Sequence, residues 1–257
     1  MTNQFNCYPF YGLKPEAVAD FHTGLKTISD SMRPETFFWA ASNLIAWKRY
    51  FGFMRDPKFA ALMAKHNESE VDWGHCWHMH ILLWAAQNVL GHVEGDFVEC
   101  GVFKGMSMGM LCDYVDFEAT GRALWLYDRF SDYSQGDMKK PMQGHEDDLK
   151  SITAKRFEKY SHVKMIDGVV PDSFKQGIPE KIAFIHIDMN EAAAERAALE
   201  TLWPSMQPGC MVVLDDYGSQ GLPNQTNTHN EFFASKRLFV AELPTGQGLV
   251  VIPPNKQ

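Results

Sequence analysis

Gly95-Asp96-Phe97-Val98-Glu99-Cys100-Gly101-Val102-Phe103-Lys104-Gly105-Met106-Ser107 decides how this chain is read. A short apolar strand (Phe97, Val98) runs into an acidic residue, then into a Gly-x-x-x-Gly turn, then into a helix. Glycines let the backbone turn tightly and come close to a ligand, and the start of the next helix offers unpaired N–H groups. Glu99 puts a carboxylate at the strand tip. That suits a nucleoside-like ligand carrying an amine or hydroxyls, and it suits a pyrophosphate poorly because Glu99 would repel one. The stretch also lacks the Gly-x-Gly-x-x-Gly spacing of a dinucleotide fingerprint.

Downstream of Gly95 the rhythm is strand–helix alternation. Short apolar runs at Phe97–Gly101, Ala123–Tyr127, His162–Ile166, Ile182–Ile187 and Cys210–Leu214 predict strands buried on both faces. Helices are predicted at Ser107–Val115, Asp147–Lys159 and Glu191–Met206. In the last, Leu199, Leu202 and Met206 form the inner stripe, and Pro208-Gly209 stops it. Arg237–Leu243 and Leu249–Ile252, separated by Pro244-Thr245-Gly246-Gln247-Gly248, predict a terminal β-hairpin. Five parallel strands followed by a hairpin is the α/β, Rossmann-like architecture of class I methyltransferases.

An open sheet of this type binds ligands at the carboxyl ends of its strands. Acids recur there: Glu99, Asp128, Asp167, Asp188, then Asp215 and Asp216. Asp128, after the second strand, is placed to accept hydrogen bonds from a ribose diol. Together with Glu99, Gly101 and Gly105 it points to S-adenosylmethionine (SAM). Asp188, Asp215 and Asp216 are a different set. Three carboxylates on neighbouring strand ends repel one another unless a cation or protons intervene. Hard oxygen ligands favour magnesium or another divalent cation, which can polarise a substrate hydroxyl.

Composition narrows the class. The chain has 257 residues, 45% of them hydrophobic, which is enough for a substantial core. The formal net charge of −8, without a long Lys/Arg run, disfavours nucleic-acid and membrane partners. Five scattered cysteines without a Cys-x-x-Cys pair read as thiols of a reducing compartment, and Met1–Tyr11 carries no signal-peptide pattern. A cytoplasmic protein acting on a small molecule is expected, and the reading leaves room for a homo-oligomer.

Residues 1–92 read as a helical N-terminal region belonging to the same unit as residues 93–257, the SAM-binding domain. Residues 1–30 are mixed, irregular or partly helical. The spacing of Phe37, Phe38, Ala41, Leu44, Ile45, Trp47 and Tyr50 after Pro34 predicts a helix. Further helices are predicted from Asp56-Pro57 to Asn67 and from Gly74 to Leu90. His75, Cys76, His78 and His80 invite a metal reading, but only 75 and 78 share a helix face and no second cluster follows. Ordinary helix residues are the better reading, and Met106, Met108 and Met110 read as packing. Long connections at Arg129–Glu146 and Ser219–Asn230 are expected to cover an acceptor. His229, in the second, is a candidate to reach the site.

Several of these segments together resemble the macrocin O-methyltransferase (TylF) family: Gly95–Val102, Leu126-Tyr127-Asp128-Arg129-Phe130, Pro179–Phe184, Ile187-Asp188 and Leu214-Asp215-Asp216-Tyr217-Gly218. The resemblance spans roughly residues 70–253. It implies a SAM-dependent, magnesium-assisted enzyme that methylates sugar hydroxyls of secondary metabolites. It places Glu99, Gly101 and Ser107 at the methionine end of SAM and Asp128 at the ribose. Asp167, Gly168 and Ser173 lie near the adenine, and Asp188, Asp215 and Asp216 hold the metal. One departure stands out. The family reads Asp-x-Asp-x-Tyr after the fourth strand, whereas this chain reads Asp188-Met189-Asn190-Glu191-Ala192. Asn190 cannot take a proton at neutral pH, so the base is Glu191, His186, His229 or a metal ligand such as Asp188 or Asp215, or the acceptor differs.

The resulting expectation is a metal-assisted SAM-dependent O-methyltransferase acting on a hydroxyl of a small molecule, a sugar or polyol portion of a natural product. The competing readings are a catalytically silent SAM-binding protein and a methyltransferase for a nitrogen or catechol acceptor.

Overall fold

The computed structural model describes residues 4–6, 10–130 and 148–255. The chain divides into two compact units, Met1–His80 and Ile81–Gln257.

The first unit holds β1 (Gln4–Asn6), α1 (Val18–Asp30), β2 (Phe38–Ala41), β3 (Leu44–Trp47), α2 (Pro57–His66) and α3 (Glu70–Gly74), and α4 (Cys76–Val89) begins in it. Its three strands form a sheet in the order β1-β2-β3. Leu25, Phe38 and Ala40 make a small core, against which Phe10, Phe21 and Met32 pack. Asp56 caps α2 by accepting the Lys58 N–H at 2.9 Å, ahead of Pro57 in the first turn.

The helix expected after Pro34 is instead the β2–β3 hairpin. Ala41 pairs with Leu44 across a two-residue turn, and both turn residues, Ser42 and Asn43, have positive φ (49° and 55°). That is the geometry of a type I′ hairpin turn. The three- and four-residue spacing of Phe38, Ala41, Leu44 and Ile45 arises because β2 is buried along its whole length while β3 alternates.

The second unit carries the alternation read from the sequence. After the end of α4 come β4 (Asp96–Cys100), α5 (Met106–Val115), β5 (Leu124–Asp128), α6 (Leu149–Phe157) and β6 (Val163–Asp167). Then follow β7 (Ile182–Ile187), α7 (Ala192–Leu202), β8 (Met206–Leu214), α8 (Pro223–Ser235), β9 (Ala241–Glu242) and β10 (Gly248–Val251). The sheet order is β6-β5-β4-β7-β8-β10-β9. β4 to β8 pair in parallel, and β10 runs antiparallel to both β8 and β9. This is the class I methyltransferase sheet. Every residue of β7 is buried, as a central strand covered on both faces requires.

The second expected loop is corrected too. From Pro223 onward, Ser219–Asn230 is the first part of α8, with Gln225, His229, Phe232 and Phe233 on its buried face. Those positions have helical spacing, but two of the four are polar, so the apolar pattern does not show it. The first expected loop lies outside the described residues except for Arg129 and Phe130. Among the described residues, no helix is long and apolar enough to cross a membrane.

Candidate active site

The parallel sheet gathers the acids at one rim. Glu99 is the penultimate residue of β4, Asp128 closes β5 and Asp167 closes β6. Asp188 and Asp215 continue the ladders one residue past β7 and β8. The Asp188 N–H donates to the Cys100 carbonyl at 2.8 Å, and the Asp215 N–H to the Ile187 carbonyl at 2.9 Å.

Two glycines make this rim possible. Gly101, at φ +89°, lies so close to the next strand that a Cβ would stand 1.9 Å from the Asp188 carbonyl oxygen. Gly105, at φ +72°, opens α5, and a Cβ there would come within 2.6 Å of the Phe157 ring. Ser107 sits partly buried in the first turn of that helix.

Asp128 organises the glycine turn. Its Oδ2 accepts the N–H groups of Val102 (2.6 Å) and Phe103 (2.9 Å), and its Oδ1 accepts that of Phe130 (2.6 Å). A carboxylate has about four acceptor positions, so this arrangement leaves room for one ribose hydroxyl where the sequence suggested two. Asp167 pairs with Lys150 at 2.9 Å on the surface. The Gly168 N–H donates to the Asp128 carbonyl at 2.9 Å. Ser173 is buried, and its hydroxyl has no partner among the described residues.

Glu99 is 2% exposed. Its Oε1 meets His186 Nδ1 at 2.9 Å, while its Oε2 is buried without a partner among the described residues. A buried carboxylate oxygen of this kind is costly unless a ligand completes it, and an ammonium group is the complementary ligand. Burial raises the pKa of Glu99, and the His186 contact partly offsets this. Burial alone would lower the pKa of His186, but the neighbouring Asp215 and Glu99 carboxylates outweigh it and raise the value to about 10.

Asp188, Asp215 and Asp216 present oxygens all within 4.8 Å of one another. Burial, and then the charge of Asp215, lift the pKa of Asp188 well above the usual carboxylate range. The same causes raise Asp216 to about 7. Mutual repulsion of three hard oxygen donors is what a divalent cation relieves, so these residues fit a magnesium-type ion. Gln247, fully buried in the β9–β10 turn, donates Nε2 to Asp215 Oδ1 at 3.0 Å.

Comparison with known proteins identifies the family and the fold. Residues 78–238 match the macrocin-O-methyltransferase (TylF) family. The chain belongs to that family. A curated relative from Streptomyces olivaceus, 8-demethyl-8-(2,3-dimethoxy-alpha-L-rhamnosyl)-tetracenomycin-C 4'-O-methyltransferase, is 28% identical over 153 residues. The matched region covers 53% of this chain and 58% of that protein. Among solved structures, the O-methyltransferase NovP is similar in fold at TM-score 0.58 and 17% identity, over 68% of this chain and 79% of NovP. Apo CalS11, a TDP-rhamnose 3'-O-methyltransferase of calicheamicin biosynthesis, has TM-score 0.52 and 15% identity, over 94% of this chain and 96% of CalS11. The family resemblance and the class I fold expected from the sequence are thereby confirmed.

Within this member of the macrocin-O-methyltransferase family, four predicted or overlooked residues take on defined settings. His229 is not in a loop. It is buried in α8 with Nε2 2.8 Å from Glu195 Oε2, and its ring stacks on Tyr217. Glu195, 2% exposed on α7, also accepts the Met189 N–H (3.2 Å) and Gln225 Nε2 (2.6 Å). It therefore holds the corner after Asp188, where Asn190 turns through φ +57°. The sequence signal was present: Glu195 lies four residues before Leu199, on the inner stripe of an Ala-rich helix. Gln247 gave no signal beyond turn composition. Glu191 precedes α7 as its N-cap and is partly exposed.

The histidine-rich stretch packs as ordinary helix residues. His80 stacks on Phe53 with ring centroids 4.5 Å apart, and His75 meets His78 edge-on at 4.8 Å. Among the described residues, the three-Asp group is the one that gathers enough donors for an ion.

Proposed function

We propose that this chain is a divalent-metal-assisted, SAM-dependent O-methyltransferase acting on a sugar hydroxyl of a natural product. The observation that carries the reading is the set of Asp188, Asp215 and Asp216 oxygens within 4.8 Å, one His186 ring away from the buried, half-satisfied Glu99. Family membership supports the donor, and the name of the tetracenomycin relative supports a sugar hydroxyl as acceptor.

In this reading Glu99 Oε2 binds the SAM ammonium, Asp128 Oδ1 takes one ribose hydroxyl, and Asp167, Gly168 and Ser173 border the adenine. Gly101, Gly105 and Ser107 line the donor at the glycine turn. Asp188, Asp215 and Asp216 hold the metal, which when bound lowers the pKa of a coordinated hydroxyl. The sulfonium of SAM already activates its methyl group, so the protein's main work is alignment and exclusion of competing reactions. The acceptor proton goes to Glu191. His229 and His186 are each 1% exposed and held by carboxylates, Asn190 cannot accept a proton, and the aspartates serve the metal. Donor and metal belong to residues 93–257.

Titration calorimetry with SAM and S-adenosylhomocysteine, with and without magnesium, tests the ligands. A turnover screen over glycosides, amines and catechols then tests the acceptor. Methylation of a sugar hydroxyl is the expected result. SAM binding without transfer to any acceptor would favour a silent binding protein.

A further inference from the structure

Glu99 and His186 are direct cross-strand partners on β4 and β7. Their side chains meet at 2.9 Å, and the other ring nitrogen of His186 faces Asp215 Oδ1 at 3.5 Å. The imidazole is therefore a single link between the carboxylate assigned to the donor and a carboxylate assigned to the metal. Glu99 and His186 are almost fully buried, and Gln247 Nε2 reaches Asp215 Oδ1 from another side at 3.0 Å. Two atoms of this Glu99–His186–Asp215 link lack a full partner set among the described residues. Glu99 Oε2 has none, and His186 Nε2 sits too far from Asp215 for a good hydrogen bond.

We infer that His186 is a positioning residue that couples donor binding to metal binding. A ligand ammonium on Glu99 Oε2 fixes the Glu99 side chain, and with it the ring. A cation on the three aspartates fixes Asp215, and with it the opposite ring nitrogen. Whichever ligand arrives first orders the bridge, so the second meets a site already in place. Ordering costs met once and shared between two sites produce positive coupling, and the coupling is reciprocal. The inference rests on the donor and metal assignments proposed above.

The test uses the full-length protein with S-adenosylhomocysteine, which lacks the sulfonium charge and so limits direct repulsion of the cation, and with Mn2+, whose binding can be followed by electron paramagnetic resonance. Calorimetry gives the S-adenosylhomocysteine affinity with and without saturating Mn2+. Resonance titration gives the Mn2+ affinity with and without S-adenosylhomocysteine. In the wild type each ligand should tighten the other by the same factor, about fivefold or more. His186→Asn reaches only toward Glu99, and His186→Gln extends its amide toward Asp215. Each keeps one half of the bridge. The coupling factor should fall to within about twofold of one in both, while Asn spares S-adenosylhomocysteine binding and Gln spares Mn2+ binding.

A wild-type protein that binds both ligands with no mutual effect overturns the bridge and leaves the donor and metal assignments standing. Failure to bind one ligand at all overturns that assignment, and the bridge with it. Undiminished coupling in both variants removes His186 from the role. The wild-type comparison needs no variant, so a substitution that fails to fold does not remove the test.

Discussion

Asp128 shows how one side chain serves both the fold and the site. Its carboxylate ties the glycine turn to the end of β5 through three backbone N–H groups, so a substitution acts on the turn before it acts on any ligand. Asp128→Ala should weaken S-adenosylhomocysteine binding by about 1–3 kcal/mol and lower the melting temperature as well, because three turn amides lose their acceptor. Calorimetry and thermal melting check both effects, and unchanged affinity would remove Asp128 from the donor site. Asn190 poses the opposite case, a residue that departs from its family. It adopts φ +57°, a region that Asn and Asp both tolerate, so Asn190→Asp should leave the corner intact. If Asn190 is an adapted acceptor contact, the wild type turns over, and losing the amide donor raises KM by roughly fivefold, about 1 kcal/mol. A wild type silent on every acceptor, with turnover gained by the variant, would mark Asn190 as decay instead.

At the level of elements, the sequence was legible where burial was uniform. β4, β5, β7 and the end of β8 are short apolar runs because both of their faces are covered, and each run stops at the acid that marks the rim. Patterning failed where a buried face is polar or a turn is unusual. The β2–β3 hairpin turns on Ser42-Asn43 instead of the familiar Asn-Gly, and its fully buried β2 imitates a helical stripe. α8 hides because Gln225 and His229 occupy inward positions to meet Glu195, a partner distant in sequence. The site was legible in its acids for the same reason as the strands; of the residues behind it, Glu195 left a signal on the inner stripe of α7, while Gln225 and Gln247 act only through contacts that folding creates. Glu195 links two helices to the corner after Asp188, so Glu195→Ala should be expensive. It strands the Met189 N–H, Gln225 and His229 in the interior and should cost about 3 kcal/mol or more of stability. Denaturant unfolding measures the loss, and a change below about 0.5 kcal/mol, typical of surface substitutions, would show that the network is not structural.

The whole molecule carries a formal charge of −8, and part of that negative charge is concentrated at three carboxylates the fold forces together. Chelation should therefore abolish turnover, and magnesium should restore it; full activity after exhaustive chelation would end the metal role. Stability gives an independent readout whose sign follows from linkage. Asp216 has its pKa raised from an ordinary 3.8 to about 7 by burial and by Asp215, and Asp188 is raised by the same causes. Between those two values the folded state holds protons that the unfolded chain has released, so stability falls as pH rises through the window. The penalty is absent below the unfolded value and complete above the folded one. A bound divalent cation replaces the protons, and its affinity rises with pH for the same reason. The metal-free protein should lose melting temperature from pH 5 to pH 8 relative to a variant with Asp216→Asn, which lacks the group. Added magnesium should raise the melting temperature of the wild type more at pH 8 than at pH 5 and should do little for the variant. Equal stabilisation by magnesium at both pH values would show that the three aspartates are not where the ion binds.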